Sequence, residues 1–355
     1  MSESNSIVAE TAARIFTDLA DPQTVNAARD GAWKAPLWSA LEENGLTLAW
    51  VPDDLGGAGA SLADGFEVIS VAGRFAAPVP IAETLLAGWL LSQARIASPQ
   101  GMMTLAPMRP RDSITLAADG TLAGRARGVP YARDAAHIAV LAHGAKGPVI
   151  ALVATDSVRI TESRGIAGDT IYEAGFDKCR PVEIAEAPAG FGQETLMLMG
   201  AAVRSLASAG ALEAILRISV QYAGERVAFE KTISKFQAVQ HNLARLAGES
   251  AAASAVATSA ADAIANADDL TSPGIYLEAA SARIRSAEAA TEGAAIAHQV
   301  HGAIGYTKEH ILHRFTSRLL TWRDDFGNES QWAVELGNRV AAAGADRLWP
   351  LVASR

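Results

Sequence analysis

Apolar residues recur at three- and four-residue steps in four stretches of the first hundred residues: Ile7 to Leu19, Leu37 to Glu43, Leu62 to Phe75 and Ile81 to Leu91. That period predicts helices with one buried face. Turn chemistry separates them at Asp53-Asp-Leu-Gly-Gly57 and Ala77-Pro-Val-Pro80, where glycine admits positive φ and proline ends a helix before itself. From about residue 103 to 190 the period shortens to that of strands. Ser113-Ile-Thr-Leu116, Asp119-Gly120 and Thr121 onward read as a hairpin, because Asp-Gly suits a tight primed turn. His137 to Leu141 and Val149 to Val153 are a second pair of β-rich runs around turn residues Gly144 to Gly147.

Beyond about residue 194 the strand signals stop, and Leu212, Ile215, Leu216, Val220, Ala223 and Val227 trace one helix face. Nine of the fifteen residues from 251 to 265 are alanine, which favours closely packed helices over low-complexity sequence because alanine is the best helix former. Asp268-Asp-Leu-Thr-Ser-Pro-Gly274 breaks that helix, and no repeat of solenoid length is present. The expectation is a mainly α protein with a central β domain: helices over 1–100, strands over 101–192, and an antiparallel bundle of four-helix type over 193–355.

A chain of 355 residues is long enough for two or three packed units. No run of about eighteen apolar residues escapes a charge or breaker, so no membrane span is expected. The opening Met1-Ser-Glu-Ser-Asn-Ser resembles neither a secretory signal nor a transit peptide, which makes the cytoplasm the expected location. A single cysteine, Cys179, excludes an intrachain disulfide and a cysteine-cluster metal site, and reads as a packed thiol. The net charge of −9, with no Lys/Arg cluster in the sequence, argues against a nucleic-acid partner.

Two segments about sixty residues apart carry candidate chemistry, both in helix-like sequence: Arg226-Val-Ala-Phe-Glu-Lys-Thr-Ile-Ser-Lys-Phe-Gln237 and Gln299-Val-His-Gly-Ala-Ile-Gly-Tyr306. Together they resemble the flavin-holding segments of the acyl-CoA dehydrogenase family, R-x-x-F-G-x-x-I-x-x-x-Q and Q-x-x-G-G-x-G-[YF]. Val51-Pro-Asp-Asp-Leu-Gly-Gly57 is similar to that family's V-P-E-E-Y-G-G turn, so the resemblance spans most of the chain. It implies the family's fold of N-terminal helices, a small β domain and a C-terminal helical bundle. It also implies FAD, held on its diphosphate and adenosine side by Arg226, Phe229, Ile233 and Gln237. The second segment, through Gln299, Gly302 and Ala303, would reach the flavin of a neighbouring subunit. Arginine suits the first role, since its fixed fork of donors fits phosphate oxygens. Taken singly, Arg226 and Gln237 read as solvated residues and Gly302 and Gly305 as helix ends.

The family's reaction removes a proton beside a thioester carbonyl while hydride leaves the next carbon for the flavin, and it needs a positioned carboxylate. Ungapped counting places the usual glutamate on Phe326, and the alternative position on the earlier bundle helix on Gly200. Asp325 remains as the candidate base, against a reading in which Asp324, Asp325 and Glu329 are solvated charges at a helix start. His301 reads as a packed or interface side chain. The stretches that would cup and back the flavin ring, Met103-Thr-Leu-Ala-Pro107 and Arg127-Gly-Val-Pro-Tyr131, are shortened or altered, and Glu230 stands where the family prefers glycine.

Two functions follow from the resemblance. One is an FAD-dependent acyl-CoA dehydrogenase, passing electrons to an electron-transfer flavoprotein as a homo-oligomer. The other is a noncatalytic, FAD-sharing subunit in a heterotetramer with a second such chain. The ending Thr321-Trp-Arg-Asp-Asp-Phe-Gly-Asn-Glu-Ser330 is similar to base-lacking chains of that kind.

Overall fold

A computed structural model describes residues 7–28, 30–164 and 170–353. The first part is helical: α1 Ile7–Ala20, α2 Pro22–Ala27, α3 Lys34–Glu43, α4 Leu62–Phe75 and α5 Ile81–Gln93. Helix α4 starts where Ser61 and Asp64 cap one another reciprocally, which satisfies amide donors that the first helical turn leaves unpaired. Helix α5 is buried along most of its length because it lies between the helices and the sheet, and Thr84 Oγ1 donates to the Met103 carbonyl at 3.1 Å.

Eight strands follow: β1 Met103–Ala106, β2 Ser113–Leu116, β3 Leu122–Pro130, β4 His137–Gly144, β5 Gly147–Ala154, β6 Arg159–Arg164, β7 Thr170–Cys179 and β8 Glu183–Glu186. They form one sheet in the order β6-β7-β3-β2-β4-β5-β8, with β1 added parallel to β4. Both expected hairpins are present, β2 pairing β3 with Leu116 opposite Leu122, and β4 pairing β5 with Gly144 opposite Gly147. The sheet core includes Ile114, Val129, Val140, Val153 and Phe176.

The last part is the bundle: α6 Gln193–Glu225, α7 Gln237–Ala265, α8 Pro273–His301, α9 Leu312–Trp322, α10 Glu329–Ala343 and α11 Ala345–Ala353. Alanines such as Ala253, Ala257, Ala279 and Ala290 sit at its buried seams, so small side chains let the long helices approach closely. Ser272 caps α8 ahead of Pro273, where the expected breaker falls. Helix α6 is long and apolar enough to cross a membrane by length and composition, but its apolar window is entirely buried by the neighbouring elements. Its predicted face holds at Leu212, Ile215 and Ala223 and fails at Val220 and Val227, which are 51% and 56% exposed. Val227 lies past the helix, in a two-stranded ribbon of β9 Val227–Ala228 and β10 Lys231–Thr232.

One arginine interrupts the buried run of α6. Arg204 donates through Nε to Asp325 at 2.9 Å and through a terminal nitrogen to Glu83 on α5 at 2.5 Å, and both its partners are buried. Beside it Arg283 of α8, fully buried, donates to the carbonyls of Trp322, Arg323, Asp325 and Gly327. Burial pushes the Arg283 guanidinium down to about 10. Burial also pushes the Asp325 carboxyl up, against the pull of Arg204. The two cations and two carboxylates balance, which makes ionised groups tolerable in a low-dielectric interior.

Arg204→Ala is expected to cost roughly 3–5 kcal/mol, because it strands Glu83 and Asp325 without a counter-charge. Urea unfolding followed by circular dichroism checks this, and a loss below about 1 kcal/mol would contradict the network's structural weight.

Candidate functional site

The two motif segments meet at one end of the bundle. Helix α6 stops at Arg226, whose amide donates to the Tyr222 carbonyl, and the chain turns through the β9–β10 ribbon into α7 at Gln237. The reading of this segment as helix is corrected here. Phe229 and Glu230 form the ribbon's two-residue turn, both at positive φ (51° and 65°), which ends any helical run. Glycine at 230 would remove one of these strained conformations. One turn before Arg226, Tyr222 stacks on His301 at 4.5 Å between centroids and donates its hydroxyl to the His301 carbonyl at 3.3 Å. Helix α8 ends there, at Gly302, and a 3-10 turn over Gly302–Tyr306 follows. Tyr222 therefore ties the arginine segment to the Gln299 segment.

At this end the structure exposes what the motifs name. Arg226, Gln237, Gln299, Gly302 and Ala303 are exposed, Ile233 is half-buried, and the Phe229 ring is 88% exposed. The Arg226 guanidinium has no side-chain hydrogen bond or ion pair among the described residues. Nothing lies within 4 Å of the position a Cβ would take on Gly302, whose φ is +64°. An uncovered aromatic ring, a free guanidinium and an open backbone turn suit a phosphate-bearing aromatic ligand enclosed from a second chain. The adenosine-diphosphate side of FAD fits these residues.

The base side does not fit. Phe326 is fully buried at φ +54°, its amide donating to the Met108 carbonyl at 2.9 Å and its carbonyl accepting from Trp332 Nε1 at 2.9 Å. Its ring lies on Gly200, where an added Cβ would stand 2.2 Å from Phe326 Cδ1. The two positions that could have carried the carboxylate thus fill one another. Asp325 is 4% exposed and its carboxylate is spent on Arg204, so the reading of it as a solvated charge is corrected. Its carboxylate faces the buried ion cluster, an unfavourable place for a base. Asp324 is exposed as expected, and Glu329 opens α10 in an ion pair with Arg323 that helps hold its carboxyl low against burial. Nearby, Tyr131 of the altered second stretch accepts a hydrogen bond from Arg318 at 3.0 Å.

The sequence reading missed Arg204, Glu83 and Tyr222. A lone arginine inside Met197-Leu-Met-Gly-Ala-Ala-Val-Arg-Ser-Leu-Ala-Ser-Ala-Gly210 was the available signal, since a charge in a buried run requires a partner. Nothing local marked Tyr222, whose contact is 79 residues away.

The comparisons agree with this architecture. The family model described as acyl-CoA dehydrogenase, C-terminal domain, matches residues 191–324. The acyl-CoA dehydrogenase IpdE2 of Mycobacterium tuberculosis is 29% identical over 319 residues, covering 89% of this chain and 91% of its own. FadE28 of the same organism, also an acyl-CoA dehydrogenase, is 28% identical over 86% of this chain and 92% of its own. Among solved structures, one in the ChsE4–ChsE5 complex of M. tuberculosis superposes with a TM-score of 0.84 at 21% identity, over 97% of this chain and 100% of that one. A glutaryl-coenzyme A dehydrogenase superposes at 0.79 and 17% identity, over 95% of each. The fold is the acyl-CoA dehydrogenase fold. Residues 191–324 of the chain thus match the acyl-CoA dehydrogenase family model, and the relatives similar to it over most of its length are acyl-CoA dehydrogenases.

Two expectations follow. Gly200→Ala drives a methyl group into the Phe326 ring and is expected to cost about 1–3 kcal/mol, with part regained in Gly200→Ala/Phe326→Leu. Equal stability of the two variants in urea melts would show that the ring and the glycine do not compete for space. The second concerns His301, which hydrogen-bonds the Ala297 carbonyl through Nδ1 and buries an Nε2 with no partner. Burial pushes it down from 6.5 to about 4. The unfolded chain therefore takes a proton that the folded one resists, so stability is full above about 6.5 and declines as pH falls toward about 4. His301→Phe should flatten that part of the pH–stability curve, and an unchanged slope would exclude the residue as its source.

Proposed function

We propose that this chain is the noncatalytic, FAD-sharing subunit of a heteromeric acyl-CoA dehydrogenase, which oxidises an acyl-CoA thioester to a 2-enoyl-CoA with electrons leaving to an electron-transfer flavoprotein. The observation that carries the proposal is the Phe326 ring seated on Gly200, which leaves neither position able to present a carboxylate to a substrate. Asp325 serves the fold, as the counter-charge of Arg204. The ChsE4–ChsE5 complex supports a paired assembly, because its member superposes on this chain over nearly its whole length.

In such an assembly FAD supplies the hydride-accepting ring, and this chain supplies grip on the far end of the cofactor. Arg226 would pair with the diphosphate, with Phe229, Ile233 and Gln237 beside it. Gln299, Gly302 and Ala303 would border the adenosine of a flavin seated in the next subunit, where a turn without side-chain bulk at 302 allows close approach. The proton acceptor and the ring pocket belong to the complete partner.

Purification of this chain alone and together with a complete homologue tests the division of labour, read by visible flavin absorbance and by dye-coupled oxidation of acyl-CoA. Turnover is expected with the pair and not with the single chain, and bleaching of a flavin by acyl-CoA in the single chain would refute the proposal. In the pair, Arg226→Gln in this chain is expected to weaken FAD retention about tenfold, the order of one lost charge-assisted contact. Asp325→Asn should leave turnover per folded complex unchanged, and its abolition would return Asp325 to the chemistry.

A further inference from the structure

Four histidines meet around the turn that leads from α8 toward α9. His298 and His301 lie on the last turn of α8, His310 on the loop that follows, and His313 on the first turn of α9. Two tyrosine–histidine stacks clamp the ends of the Gly302–Tyr306 turn. His301, just before it, stacks on Tyr222 at 4.5 Å between centroids, and Tyr306, its last residue, stacks on His298 at 4.2 Å, each pair with 22° between planes. The His310 ring stands 4.7 Å from His301 and 6.0 Å from Tyr222. His298 Nε2 is 2.9 Å from Thr316 Oγ1, and His313 Nδ1 is 2.6 Å from the His310 carbonyl. Gly305 sits directly on this cluster, since a Cβ there would lie 3.2 Å from His298 Nδ1. From α2, the Asn26 side chain tethers the same loop by donating to the Lys308 carbonyl at 2.9 Å.

No group in this cluster compensates an added proton. The side chains packed on the rings are Tyr222 from α6, Tyr306 from the turn and Thr316 from α9, none of them a carboxylate. On the loop, the Glu309 carboxyl is held low by the Thr307 side chain, its own backbone and Lys308. Among the described residues no carboxylate forms an ion pair with any of the four histidines. The charges that act on His298, His301 and His310 come from one another and from His313. Two ring nitrogens, His298 Nδ1 and His301 Nε2, are buried with no hydrogen-bond partner. Burial, reinforced by the neighbouring rings, holds His298 and His310 below the ordinary histidine range as it does His301. Neutral rings are tolerated here, and each proton makes the next harder to place while the stacks stay packed. Hydration relieves that cost, and hydration requires the stacks to part.

We infer that the histidine cluster is a proton-operated latch on the Gly302–Tyr306 turn: neutral rings hold the turn against the bundle, and protonated rings release it. The released turn takes protons at the ordinary histidine value and the packed one resists them. Closure is therefore full above about 6.5 and weakens as pH falls toward about 4. His301 alone makes opening about tenfold more favourable at pH 5.5 than at pH 7.5, and His298 and His310 act in the same direction. Because the turn carries Gly302 and Ala303, its release would loosen the grip on a shared flavin. That consequence rests on the proposed subunit role, whereas the latch itself is a property of this chain alone.

Hydrogen exchange of the full chain, read by mass spectrometry and corrected for the intrinsic pH dependence of exchange, tests the latch. It follows the Gly302 and Thr307 amides, which donate to the His298 and Ile304 carbonyls. Their protection is expected to fall about tenfold or more from pH 7.5 to 5.5, while α4 stays protected. His301→Phe/His310→Phe keeps two aromatic rings and removes two protonation sites, so its turn should lose about threefold or less over the same range. Unchanged protection in the wild type, or a fall as large in the variant, would overturn the inference. Should the variant melt early, proton NMR of the wild-type ring C–H groups decides. The His298 and His301 signals are expected to shift together with the loss of turn protection, and titration of either ring near 6.5 under a still protected turn would overturn the latch. In the pair with a complete homologue, the wild-type chain should release FAD at pH 5.5 and the double variant retain it. An open turn in the single chain with FAD still held by the pair would count against the subunit role and leave the latch standing.

Discussion

The buried Arg204 holds the molecule's parts in register. Its guanidinium joins α6 to Glu83 of α5 and to Asp325 of the loop after α9, so the N-terminal helices, the central bundle helix and the C-terminal loop share one ionic contact. Such a cluster contributes little net stability relative to an apolar core, yet it is costly to break, and that asymmetry makes it a register device. Arg283 completes it by tying four carbonyl groups of the same loop segment to α8. The loop is thereby held in the one conformation that lays Phe326 on Gly200.

That conformation bears on function. The place where the family's chemistry needs a free carboxylate is occupied by a ring packed on a bare helix position, with a salt-bridged aspartate next to it. The region has become part of the core. The far end of the bundle is built the opposite way: Arg226, Phe229 and Gly302 stand in the open, and Tyr222 and His301 behind them are packed together. A rigid backing under an uncovered polar and aromatic surface is what a shared ligand at a subunit boundary requires. A filled pair of carboxylate positions and an open bundle end are therefore compatible in one chain.

Much of the fold was legible from local pattern. Helix α4 runs over the predicted Leu62–Phe75, and the Asp119-Gly120 turn joins the strands expected on either side of it, because caps, breakers and strand alternation act within a few residues. The alanine-rich stretch is a bundle helix, as small residues at close-packed seams imply. The reading faltered where tertiary contacts overrode periodicity, as at Val220 and Val227, which continue an apolar pattern into solvent at the end of α6.

By itself the sequence determined the order of helical and β elements, the likeness to acyl-CoA dehydrogenases, and the lack of a carboxylate at both expected positions, since each of these is written in residue identity and short-range spacing. The tertiary structure alone decided the fate of that vacancy and of the charges around it. Asp325 and Arg204 are 121 residues apart, and Phe326 and Gly200 are similarly distant in the chain. Whether such groups face water, a ligand or each other depends on how separate helices pack, and no local pattern encodes it.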